Sequence, residues 1–122
     1  MILDDIFTAL KTVDEQTFYG ACDRTKITEN TPWNYTVFGR NTIDISPTSK
    51  TEVYRIVVVR ENYIPDGTDE KIISAMRTIP GVKLRQNTPA RYSYARKNNT
   101  NIICEMLEIE FAHALKRCVA NG

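Results

Sequence analysis

The chain has 122 residues, 42% of them hydrophobic and 25% charged, with a formal net charge of +1. This is the length of a single domain, residues 1–122, with an ordinary globular composition, which excludes both a second core and disorder over most of its length. Near neutrality also removes the strong field by which nucleic acid or an anionic membrane is drawn in. No stretch is long and apolar enough to span a bilayer, and Asp4 and Asp5 stand where a secretory signal needs positive charge, so no membrane association is expected. Cys22, Cys104 and Cys118 are odd in number and far apart, the pattern of reduced thiols in cytoplasm, with a Cys22 to Cys104 bridge left open.

Ile2, Ile6, Ala9 and Val13 form one stripe with Leu3, Phe7 and Leu10 beside it, so residues 2–13 read as an amphipathic helix needing a sheet. Residues 17–23 alternate as a short strand that Gly20 weakens or bulges. Residues 24–32 are polar and end in Pro32, as a surface loop of variable shape does. An aromatic strand follows, with Trp33, Tyr35 and Val37 on one face and Phe38 on the other, closed by a turn at Gly39, Arg40 and Asn41. Ile43 and Ile45 share a face on what Pro47 marks as an edge strand, before a mobile Ser, Pro and Thr cluster.

The centre of the chain is the run of Ile56, Val57, Val58 and Val59. Four consecutive β-branched residues suit a central strand covered on both faces. Pro65, Asp66 and Gly67 then turn the chain into a helix starting near Thr68, with Asp66 or Thr68 accepting from its first amides. Ile72, Ile73, Met76 and Ile79 lie along one face of that helix, and Pro80 and Gly81 stop it. Residues 82–86 and 91–97 are strands. Asn98, Asn99, Thr100 and Asn101 form a hairpin connection, since Asn tolerates the left-handed conformation. In the last strand, residues 102–111, Ile103, Leu107, Ile109 and Phe111 oppose Cys104, Met106, Glu108 and Glu110. No structure is assigned to residues 112–122. The expected fold is α+β, a mixed, mainly antiparallel sheet of about five to six strands with two helices packed on one side.

Chemistry leaves little trace. His113 is the only histidine, and its neighbours are alanines, so it reads as structural rather than as a catalytic base for Cys104. The glycines never cluster as a phosphate loop, and Asp44, Asp66, Asp69 and Glu70 miss the spacing of a calcium loop. No catalytic, cofactor-binding or metal-binding residue is expected. Residues 84–97 are the best case for nucleic acid, because Arg85, Arg91, Arg96 and Lys97 surround Tyr92 and Tyr94. A solvated hairpin face explains the same residues, and Trp33, Tyr35 and Phe38 read either as core or as a contact surface.

The order of elements carries more. A strand with Val57, Val58 and Val59 runs into Pro65 and Asp66, a helix ends at Ile79 and Pro80, and Tyr92 and Tyr94 precede a hairpin into residues 102–111. This order, over residues 53–111, resembles the tail terminator and tail completion proteins of tailed bacteriophages. The resemblance implies a virion protein without catalytic residues, found in the tail and, during assembly, in the host cytoplasm. It further implies a homo-oligomeric ring, commonly a hexamer, that ends growth of the tail tube and joins the tube protein to the head connector proteins. Whether DNA passes through such a ring is left open. Trp33, Tyr35, Phe38, Arg40, Arg91, Tyr92, Tyr94 and Arg96 are the expected contact residues.

Overall fold

The computed structural model describes residues 1–116. In chain order these form α1 (Ile2–Lys11), β1 (Thr17–Tyr19), β2 (Tyr35–Ile45), β3 (Ser49–Glu61), α2 (Thr68–Met76), β4 (Val82–Leu84), β5 (Arg91–Arg96) and β6 (Ile103–Lys116). The fold is α+β. Its sheet runs β1-β2-β3-β6-β4, with β5 also beside β6, and only the β1 and β2 pair is parallel.

The β-branched run sits in the middle of this sheet. β3 pairs with β2 on one side and with β6 on the other, from Ser49 opposite Lys116 to Glu61 opposite Cys104. Its alternation divides the run: Ile56 and Val58 join the core beneath the helices, while Val57 and Val59 point to the opposite face. Val57 is only half-buried, so the second face is less covered than four apolar residues in a row predict.

Both helices pack on the face that carries Tyr54, Ile56, Val58, Leu107, Ile109 and Phe111. Ile6, Ala9 and Leu10 of α1 and Ile72, Ala75 and Met76 of α2 supply the other side of that core. β3 and β4 run parallel, each antiparallel to β6, so α2 is the crossover that returns the chain across β6. Gly67, at φ 88°, forms the cap of α2 in a conformation that suits glycine. No side chain caps the helix. The Thr68 hydroxyl instead donates to the Pro65 carbonyl at 2.7 Å, and the expected role of Asp66 or Thr68 as acceptor is not realised.

Three local expectations are corrected. Gly39, Arg40 and Asn41 do not turn the chain; β2 continues through them with a bulge between Arg40 and Thr42. The turn comes later, where Ser46 N donates to the Ser49 carbonyl at 2.8 Å and closes a tight hairpin around Pro47. Residues 20–23 leave the sheet, because Gly20 takes φ 80° and the strand ends at Tyr19. Residues 112–116, given no structure from sequence, extend β6, since β3 is long enough to pair with them. Cys118 lies outside the described residues.

Candidate interaction surfaces

The expected contact residues divide among three places. Phe38 is core, 2% exposed, with the rings of Phe7 and Tyr19 at 6.3 and 5.4 Å between centroids. Trp33 and Tyr35 lie half-buried on the face away from the helices, and Arg40, Arg91, Tyr92, Tyr94 and Arg96 are exposed.

Trp33 anchors a loop. Its backbone N–H donates to Glu61 Oε1 at 3.0 Å and its indole N–H to the Thr28 carbonyl at 3.1 Å. Lys97, 6% exposed, brings Nζ to 2.6 Å from Glu61 Oε1 and 2.7 Å from the Thr31 carbonyl, over the Trp33 ring. The loop expected to vary in shape is thereby tied to the hairpin between β5 and β6. The Lys97 ammonium, followed by the Trp33 amide, holds the Glu61 carboxyl below the usual carboxylate range. Burial, with Cys22 next to the phenol, pushes Tyr35 up to about 12.

The basic segment of residues 84–97 does not assemble into one patch. Lys97 is spent on Glu61, and Arg85 pairs with Glu110 at 2.8 Å. Opposite each other in the sheet are Arg91 and Glu108, then Tyr92 and Leu107, so Arg91 faces away from the helices while Tyr92, Tyr94 and Arg96 face the helix side. The Tyr94 hydroxyl donates to Glu105 at 2.8 Å, which raises the pKa of that phenol. Glu108 and Glu110, the acidic side of the last strand, are neutralised by Arg55 at 3.1 Å and by Arg85, and Asn41 also donates to Glu110 from its bulge.

The two residues weighed as catalytic both lie on β6. Cys104 is 1% exposed, and burial pushes its thiol up, away from the reactive thiolate. The His113 ring packs on Gly81, and its Nδ1 is buried without a hydrogen-bond partner among the described residues. No helix of the described residues is long and apolar enough to cross a membrane.

What the structure does offer is edges. Every residue of β5 is exposed, and β5 pairs only with β6. β1 covers β2 only as far as Phe38, so residues 40–45 present a second open edge bearing Ile43, 46% exposed, and Ile45, 62% exposed. Ile43, Asp44 and Ile45 were not among the expected contact residues. Their signal was present in the alternation of Ile43, Asp44 and Ile45, which the reading of a turn at Gly39 separated from the strand before it. The chain matches no protein-family model, and no curated protein matches it.

Proposed function

We propose that the protein is a tail terminator or closely related head-to-tail joining protein of a tailed bacteriophage, acting as a ring of identical subunits at the head-proximal end of the tail. The observation that carries the reading is the order of elements over residues 53–111. β3 enters the Pro65 turn, α2 ends before Pro80, and the Tyr92 and Tyr94 strand leads through Asn99, at φ 56°, into a long β6. An open sheet with two exposed edges suits a protein whose work is self-association, because edges are the part of a sheet that accepts another strand. The ring would meet the tail tube on one side and the connector on the other.

The test is location. Antibody labelling of purified particles should mark the junction of head and tail. Particles lacking the protein, with tails of normal length, would refute the proposal.

A further inference from the structure

We infer that the open part of β2, residues 40–45, receives β5 of a second copy of this chain, the two strands pairing antiparallel with Arg91 opposite Asp44 and Tyr92 opposite Ile43. This deepens the ring reading and rests on it, naming the surfaces by which neighbouring subunits join.

Three observations converge on it. The first is direction. β2 is antiparallel to β3, β3 to β6 and β6 to β5, so β2 and β5 run oppositely within one subunit. Two copies in the same orientation therefore bring these strands together antiparallel, in the head-to-tail contact that generates rings.

The second is side-chain complementarity on both faces. Tyr92 and Tyr94, 56% and 62% exposed, lie on the helix side of the sheet with Leu107 and Glu105 opposite them. Ile43, which pairs with Glu52 and through it with His113, is on that same side. Aromatic and β-branched residues are favourable cross-strand neighbours. On the other side Arg91 carries a cation and Asp44 a carboxylate. Both are exposed, and neither side chain has a hydrogen bond or ion pair among the described residues. Arg40, by contrast, is already held by Glu52 at 2.8 Å.

The third is geometry. In this register each subunit is displaced along the strands by the rise from Glu52 to Val58, about 20 Å, while the repeat across the strands, from β2 of one copy to β2 of the next, is about 19 Å. Strands inclined at about 45° to a ring axis satisfy both, within the tilt found in closed sheets. Neither strand carries a proline, and the helix-side charge on β2, Arg40, is already paired with Glu52.

The experiment is sedimentation equilibrium on the full chain and three variants: Arg91→Asp, Asp44→Arg, and the two combined. Both positions are exposed, so the fold should persist. Wild type should self-associate, each single variant should weaken association roughly ten- to a hundredfold, and the double variant should regain most of it. Oligomers of unchanged affinity in both single variants would overturn this pairing while leaving a ring at the tail intact. A wild-type chain that stays monomeric to about 1 mM would overturn it as well. Charge-swap rescue in a protein absent from particles would instead keep the pairing and reject the tail.

Discussion

The ammonium of Lys97 is the clearest case of a residue whose role depends on the tertiary structure. It lies 2.6 Å from Glu61 in a largely buried pair, and it also satisfies the Thr31 carbonyl. Removing one partner of such a pair leaves the other charge uncompensated. Lys97→Met should therefore cost about 2–4 kcal/mol in urea unfolding, more than any truncation of exposed Arg91. Because the folded Glu61 pKa is depressed, its contribution is fully present above the ordinary value of 4.5 and lost as pH falls through the lower folded value. Urea midpoints taken from pH 7 downward should drop below that point in wild type and drop less in Glu61→Gln. Tyr54 presents the opposite situation. Burial, reinforced by the adjacent Glu52 carboxylate, pushes its phenol up to about 12, and its hydroxyl has no hydrogen-bond partner among the described residues. Tyr54→Phe should then change stability by less than about 1 kcal/mol, toward stabilisation, as calorimetry can check.

Among the elements, Gly81 joins local and long-range constraints. It takes φ 81°, and a Cβ there would lie 3.1 Å from His113 Cδ2. Gly81→Ala should destabilise by about 1–3 kcal/mol, and the cost should shrink but not vanish in a His113→Ala background, where only backbone strain remains. That the helix cannot run past Pro80 was legible, because chain-stopping residues act locally, but α2 already ends at Met76, and Ile79, expected on its face, follows in tight turns. That β6 brings His113 onto Gly81 was not legible. The same division runs through the fold. Both helices, the central β3 and the Asn99 hairpin followed from periodicity and turn chemistry, which depend on neighbours a few residues apart. The course of β2 past Gly39 did not, since a glycine between strand-like residues signals a turn and a bulge equally well. Nor did the extension of β6 through residues 112–116, which depends on pairing with Ser49 to Val53 far away in sequence. Of the candidate surface, exposed Tyr92, Tyr94 and Arg91 were legible as side chains outside any apolar pattern. Phe38 and Trp33 were ambiguous, because an aromatic residue reads alike in a core and at an interface.

For the whole molecule, an open sheet with helices on one face and exposed strands at both margins is complete as a core and incomplete as a sheet. Its long strands pair in the middle of the sheet and leave hydrogen-bonding groups unused at the edges, where another strand can add. The proposed ring unites this with the order of elements in residues 53–111. The measurement that addresses it most directly is electron microscopy of the particles formed after the gene is deleted. The account predicts tails without attached heads and with tubes that overrun their normal length. Tails of normal length, joined to full heads, would contradict it.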